Sequence, residues 1–295
     1  MAGALPQGIV NYWSDLEKHG WDEIWMNHPA VRARINLLVT GDAGRWPIWW
    51  LSEVTPDRIP FCRALSIGCG LGNLERSLVE LGIVKHVTGI DLSEEALAKA
   101  RGSAAAAGMS GKIAYVGADA REYLLGVRGL DAVFFHASLH HFDRLPEFLG
   151  LVRQALAPRG ILYLDEYAGP SRTEWTWRHL LRWNVVYWHL PRSVRRTRVV
   201  RRPISREDPT EAIESSGILP AVERHFRVLA RRDYGGNLLA PIYPSLLRPN
   251  QAGGPSSSEF DEAIRTLVER EDEILSREAG FNIVVVAEPR LTADG

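Results

Sequence analysis

The sequence predicts an α/β protein built around a doubly wound, largely parallel sheet, and three observations carry that expectation. Residues 64–78, ALSIGCGLGNLERSL, run from a short apolar segment (Ala64, Leu65, Ile67) through glycines at 68, 70 and 72 into a helical pattern with Leu74 and Leu78. That order reads as a buried strand, a glycine turn and a helix start; glycine accepts positive φ there and lets a ligand approach the backbone. Val87 to Ile90 then reads as a second strand ending in Asp91, nineteen residues after Gly72. An acid at that tip is placed to accept hydrogen bonds from ribose hydroxyls, and charge-assisted bonds of this kind contribute roughly 1.5–3 kcal/mol each. Finally, strands and helices alternate from 64 to 142, the pattern of a parallel sheet covered by helices on both faces.

Residues 1–60 precede the first strand and read as a mostly helical cap rich in tryptophan (Trp13, Trp21, Trp25, Trp46, Trp49, Trp50). His28-Pro29 and Trp46-Pro47 break it into short helices, because proline removes a donor and restricts its predecessor. The core, 61–169, follows as strand 64–67, helix 72–81, strand 86–90, helix 93–108, strand 112–116, a short helix near 120–125 and strand 131–136. Helix 144–156 leads through Pro158 and Gly160 to strand 160–166. Residues 170–226 break the alternation and read as an insertion, in which DPTEAIESSG (208–217) has the look of a capped helix. The last unit, 227–295, holds a strand beginning at Val228, an exposed Pro/Gly/Ser-rich loop at 250–258, helix 259–279 and strand 281–287.

Composition narrows the function classes. The 295 residues suffice for a substantial interior, and 45% hydrophobic with 24% charged residues is ordinary for a globular protein. A net charge of −1 gives no global attraction to nucleic acid or to an anionic membrane. Two cysteines, Cys62 and Cys69, make neither a disulfide framework nor a zinc cluster, which points to a reducing cytoplasm. No run reaches the length of a membrane span, and MAGALPQGIVNYW lacks the basic start and long apolar centre of a signal peptide.

A dinucleotide fingerprint places its third glycine three residues after the second; here that position is Asn73, and Gly72 arrives one residue early. The G-x-G-x-G spacing instead resembles motif I of the class I S-adenosylmethionine-dependent methyltransferases. The resemblance continues in order through GIDLS (89–93), VGADA (116–120), DAVFFHASLHHF (131–142) and LAPRGILYLDEYAGP (156–170). It implies a Rossmann-like seven-stranded sheet of order 3-2-1-4-5-7-6 with the last strand antiparallel, a helical N-terminal cap and an insertion after strand 5. It implies S-adenosylmethionine as cofactor, with Gly68, Cys69 and Gly70 against the methionine portion, Asp91 on the ribose and Leu92 against the adenine. Asp119, followed by Ala120, matches the position that receives the adenine amino group, and His136 with Ala137 would pass beside the sulfonium. For Asp119 the alternative is a cap on the helix that begins at Ala120. One departure stands out: the family carries Asp or Glu two residues before the first glycine, where this chain has Ser66.

On the acceptor side, the ends of strands 4 and 5 offer His136, Ser138, His140 and His141, then Asp165, Glu166 and Tyr167. His140 or His141 suits a general base for a hydroxyl, since histidine titrates near neutrality; each also suits a structural role. Glu166, at the exit of the apolar run Ile161–Leu164, would become a competent base if burial raised its pKa, or else serve an ion pair. All ten tryptophans lie in 13–50 or 175–188, which predicts an acceptor chamber walled by rings that attract cations. Seven arginines (Arg192, Arg195, Arg196, Arg198, Arg201, Arg202, Arg206) fall in fifteen residues and suit either a solvated surface or a phosphate clamp.

These features combine into C-methylation of an allylic prenyl diphosphate of the geranyl type. Rings would stabilise the carbocation, Glu166 would take the proton, and arginines such as Arg192 and Arg196 would hold the diphosphate, with Mg2+ as an optional aid. Tyr167, Arg172, Trp175 and Tyr234 complete the expected acceptor wall. DEYAGPSR (165–172) and YGGNLL (234–239) resemble a bacterial small-molecule subgroup of the same family. The rival reading is an O- or N-methyltransferase of a sugar or other natural product with His140 or His141 as base; a non-catalytic cofactor-binding protein is the remaining one. The expected partner is a small-molecule acceptor, with no nucleic acid and no membrane span, and homo-oligomerisation is left open.

Overall fold

The computed structural model describes residues 24–205 and 208–290; Trp13, Trp21 and Arg206, and the first 23 residues of the expected N-terminal cap, lie outside them. The apolar run ahead of the glycine turn forms β1 (Ala64–Ile67), with all four residues buried. Burial on both faces explains why this strand shows no polar alternation. Six further strands follow: β2 (Val87–Asp91), β3 (Ile113–Gly117), β4 (Leu130–His136), β5 (Leu156–Tyr167), β6 (Phe226–Gly235) and β7 (Asn282–Pro289). They make one seven-stranded sheet of order 3-2-1-4-5-7-6. The pairs among β1 to β5 are parallel, while β7 runs antiparallel to both β5 and β6.

Helices cover both faces of this sheet. They are α1 (Pro29–Thr40), α2 (Trp50–Val54), α3 (Asn73–Glu80), α4 (Glu94–Ala106), α5 (Ala120–Leu125), α6 (Leu145–Ala155), α7 (Trp177–His189), α8 (Ile218–His225), α9 (Leu239–Ile242) and α10 (Ser257–Leu275). Helix starts follow local chemistry. Ser93 Oγ accepts from Ala96 N at 3.2 Å ahead of α4, and Ser256 with Glu259 forms a reciprocal capping box at α10. Two apolar clusters result, one on each face of the sheet. No helix among the described residues is long and apolar enough to cross a membrane.

One expected element is absent. Residues 208–217 do not form a capped helix: after a turn they reach only the short 3-10 turn Ser215–Gly217, and α8 begins at Ile218. Asp208 does start a turn, accepting from Thr210 N at 2.8 Å and from its hydroxyl at 2.6 Å. The chain then leaves the helical region because Ala212 adopts φ 53°. A non-glycine residue in that region ends helical propagation.

The two cysteines occupy opposite environments. Cys62 is exposed, whereas burial, reinforced by Glu75 and Asp91, pushes the Cys69 thiol far above its ordinary range. Thiolate is the reactive form, so a thiol titration of the native protein at neutral pH counts one fast thiol, Cys62. Cys69 reacts only on unfolding; two fast thiols would mean that the glycine turn is open.

Candidate functional site

The glycine turn lies at the carboxyl end of β1, where an open parallel sheet binds its ligands. Gly68, Gly70 and Gly72 take φ of 71°, 50° and 72°, the left-handed region in which a side chain is strained. The back of the turn is closed. A Cβ on Gly68 would come within 2.6 Å of Ser138 Cβ, and one on Gly72 would overlap the Tyr115 hydroxyl. At Gly70 a Cβ would meet nothing within 4 Å, so the turn opens there.

Asp91 ties this turn to β2. Its Oδ2 accepts from Gly70 N and its Oδ1 from Ser93 N, both at 2.9 Å. Each oxygen keeps a second lone pair for an external donor. Leu92, next along, is 43% exposed, as an adenine platform would be. Asp119 uses Oδ1 to cap α5, accepting from Arg121 N at 2.8 Å and Glu122 N at 3.1 Å, while Ala120 is buried. The cap and a ligand role are compatible, because only one oxygen is used. An open glycine, an anchored acid and a half-exposed leucine fit a nucleoside-bearing ligand such as S-adenosylmethionine.

Glu75 was not anticipated from the sequence. It sits on α3 directly beneath the turn, fully buried, and neither carboxylate oxygen has a hydrogen-bond partner. Burial raises its pKa, with Ser66 and His136 among the groups that lower it. The signal was present: Glu75 shares the buried helical face of Leu78 and Val79, three and four residues on, where an apolar residue belongs. Thus the acid missing at Ser66 has a counterpart on the neighbouring helix.

The acceptor side is organised by Glu166 on β5, whose side chain is fully buried. Its Oε1 accepts from Ser138 N and Leu139 N, both at 2.6 Å. Its Oε2 lies 2.8 Å from His140 Nδ1. Ala137, between β4 and these amides, takes φ 51°. Ser138 Oγ donates to Ile67 O at 2.7 Å, which joins this turn to β1. Glu166, read from the sequence as a base or an ion-pair partner, thus holds the β4 turn through Oε1 and the His140 ring through Oε2.

The two histidines that follow differ in charge. Burial works against protonation of His140, but Glu166, with Glu211 and Asp208, more than offsets it and pushes His140 up to about 9. His141 is held well below its ordinary value by burial and by its charged neighbour His140. The ring centroids lie 4.2 Å apart. Glu211 Oε2 is 3.8 Å from Nε2 of each ring, and Asp208 Oδ2 is 3.4 Å from His141 Nδ1. Asp208 and Glu211 escaped the sequence reading because they were assigned to a helix. Arg172 braces their loop, donating to the carbonyls of Pro209 and Ser205.

A separate chain of groups ends at His136. Tyr234 donates its hydroxyl to Asp165 Oδ1 at 2.7 Å, and Asp165 Oδ2 lies 3.7 Å from His136 Nε2. Burial raises Asp165, while His136 and the Tyr234 hydroxyl pull it back. His136 itself is 47% exposed.

Other residues expected at the acceptor do not converge here. Trp175 is buried and packs on Trp183, ring centroids 5.1 Å apart, and on Phe281 at 6.0 Å. It thus fills the interior of the insertion. Tyr167 donates to Pro170 O at 2.8 Å. Arg192, Arg196, Arg198, Arg201 and Arg202 are exposed, and Arg196 donates to Pro244 O at 2.6 Å. Trp46, Trp49, Trp177 and Trp188 are also exposed, so the tryptophans divide between interior and surface.

Residues 65–164 match the family model of the methyltransferase domain. The chain is 35% identical over 104 residues to trans-aconitate 2-methyltransferase of Streptomyces avermitilis, covering 34% of this chain and 37% of that protein. It is 29% identical over 108 residues to a sterol 24-C-methyltransferase of Gibberella zeae, covering 37% and 28% respectively. The chain thus spans about a third of the length of the curated relatives it matches. Among solved structures it is similar to the cyclase SpnF, with a TM-score of 0.49 and 16% identity over 84% of this chain and 85% of that one. It is also similar to an S-adenosylmethionine-dependent methyltransferase from Mesorhizobium loti, with a TM-score of 0.47 and 21% identity over 82% and 96%.

Truncating Glu166 leaves two buried amides without an acceptor and a buried imidazole without its partner. Glu166→Ala should cost about 3 kcal/mol, a fall in melting temperature of roughly 6–12 °C. Glu166→Gln keeps an oxygen for the amides and should lose less. A melting curve unchanged by Glu166→Ala would remove the carboxylate from its organising role.

Proposed function

We propose that this chain, whose core belongs to the class I S-adenosylmethionine-dependent methyltransferases, transfers a methyl group to a hydroxyl of a neutral, polar small molecule such as a sugar. The observation that carries the acceptor class is the charge at the ends of β4 and β5. His136, His140 and His141 meet Asp165, Glu166, Asp208 and Glu211 there, while the exposed arginines are spent on the surface. A diphosphate needs cations beside the transfer site, and Arg172 is already committed to two carbonyls. The prenyl diphosphate reading therefore ranks second.

When bound, S-adenosylmethionine supplies a methyl group activated by its sulfonium for in-line displacement. Gly68, Cys69 and Gly70 would floor the methionine end, and Asp91 would accept from the ribose hydroxyls. Glu75 would supply the acidic contact missing at Ser66. His136 is the favoured base: a proton on Nε2 directed at Asp165 leaves Nδ1 to accept the hydroxyl proton. Distances such as 3.7 Å between His136 and Asp165 commonly tighten once the substrate is bound. Glu166 and His140 act as positioning residues for the turn that carries Ser138 and Leu139.

Mass spectrometry of reactions with S-adenosylmethionine tests this, with free sugars and glycosides, phenols and amines beside geranyl and farnesyl diphosphate. A hydroxylated acceptor should gain one methyl group. His136→Gln should lower kcat/KM about 100-fold while calorimetric affinity for S-adenosylhomocysteine is kept. Asp91→Ala should lose that affinity at least about tenfold. Methylation of a prenyl diphosphate alone would sink the hydroxyl reading, and cofactor binding without any product would favour the non-catalytic one.

A further inference from the structure

Three donor atoms from two distant segments converge past the end of β4. His140 and His141 come from the turn after β4, and Glu211 comes from the insertion. One ligand atom from each lies within 4.8 Å of the other two, and both Nε2 atoms are 3.8 Å from Glu211 Oε2. The opposite nitrogen of each ring is already oriented by oxygen. His140 Nδ1 meets Glu166 Oε2 at 2.8 Å, and His141 Nδ1 meets Thr210 Oγ1 at 3.2 Å and Asp208 Oδ2 at 3.4 Å. An imidazole whose Nδ1–H is held by an oxygen presents its Nε2 lone pair outward, which is how metal-ligating histidines are usually fixed.

We propose that His140, His141 and Glu211 form a binding site for one divalent transition-metal ion of the zinc class. Two imidazoles and a carboxylate suit Zn2+, Fe2+ or Co2+, whereas Mg2+ prefers an all-oxygen shell. Tetrahedral zinc with bonds near 2.0 Å separates its ligands by about 3.3 Å. Glu211, whose side chain is 37% exposed, has only about 0.5 Å to close. The loop that carries Glu211 is fixed on both sides: Arg172 braces Pro209 and Ser205, and Ile213 N donates to His140 O at 3.2 Å. Three protein ligands leave a coordination position open for an oxygen of water or of the acceptor. The site goes beyond the proposed transfer, and metal binding does not depend on it.

The test is calorimetric titration of Zn2+ and of Mg2+ into untagged, EDTA-stripped protein, with Co2+ spectra for geometry. Because Cys62 is exposed, the titrations are run on Cys62→Ser. One Zn2+ per chain should bind, raise the melting temperature and displace Co2+ from the site, with loss of the tetrahedral visible bands that Co2+ gives there. Glu211→Gln and His141→Ala should each weaken binding at least about tenfold; Glu211 is partly exposed, so its variant should keep the fold. Zinc affinity unchanged in both folded variants, no zinc binding, or equal affinity for Mg2+ would each overturn the site. S-adenosylhomocysteine affinity is measured in the same samples. Its loss with zinc binding intact would count against the transferase reading, and zinc failure with cofactor binding intact would count against the metal site alone.

Discussion

Glu166 is the carboxylate on which the ligand end of the sheet depends. A buried charge is costly unless hydrogen bonds surround it, and here two amides and one imidazole do so. Those donors become available only because Ala137 turns the chain through a left-handed residue just past β4. The contact therefore fixes the β4 turn against β5, and Ser138 extends the constraint to β1 through Ile67 O. Gly68 must be glycine partly because Ser138 stands behind it. One side chain on β5 thus sets the shape of the glycine turn two strands away.

The same device recurs at the far edge. Glu271 on α10 is fully buried and accepts from the amides of Asn237, Leu238 and Leu239 at 2.7, 2.7 and 2.9 Å. Asn237 in turn receives the Trp183 indole N–H at 2.8 Å and holds Phe281 N at 3.0 Å. The insertion helix α7 is thereby anchored to the last two strands. Glu75 breaks the pattern, since it is as deeply buried as the other two but makes no well-formed hydrogen bond, Ser66 giving it only a weaker pull. A buried carboxyl left in that state is destabilising, and its position beneath the glycine turn is where an incoming donor group would relieve it.

Much of this was legible in the sequence because short-range rules decide it. The glycine turn and Asp91 rest on apolar runs and turn residues, whereas the strand order and the antiparallel β7 followed only from the resemblance to the methyltransferase family. Boundaries moved by a few residues, with β5 starting at Leu156 and not at Gly160. What escaped was set by long-range contact. Glu166 reads as an exit-strand base until the amides of Ser138 and Leu139 are folded onto it. Asp208 and Glu211 read as the start of a helix, and the Asp208 turn does form; only the left-handed Ala212 shows that the segment serves the histidines instead. Along α7 Trp177 and Trp188 are exposed and Trp183 is buried, as helical periodicity dictates, and Trp175 is buried ahead of it, so their clustering in sequence does not make a single wall in space.

Charge is segregated on a scale that composition hides. A net charge of −1 averages the carboxylates clustered at the ends of β4 and β5 against the arginine-rich run at 192–206. Exposed charges in physiological salt are screened over about 8 Å, so the surface arginines contribute little to the field inside the cluster. The buried carboxylates are screened far less, and they decide what that cluster attracts. His140 reports the local sign directly: although burial disfavours its charge, its neighbours hold it protonated to about 9. Under the proposed reading, that sign disfavours a phosphorylated acceptor beside the transfer site and suits a neutral one. Sequence counts of arginine thus say little about the charge of the acceptor, because selectivity depends on which charges the fold removes from water.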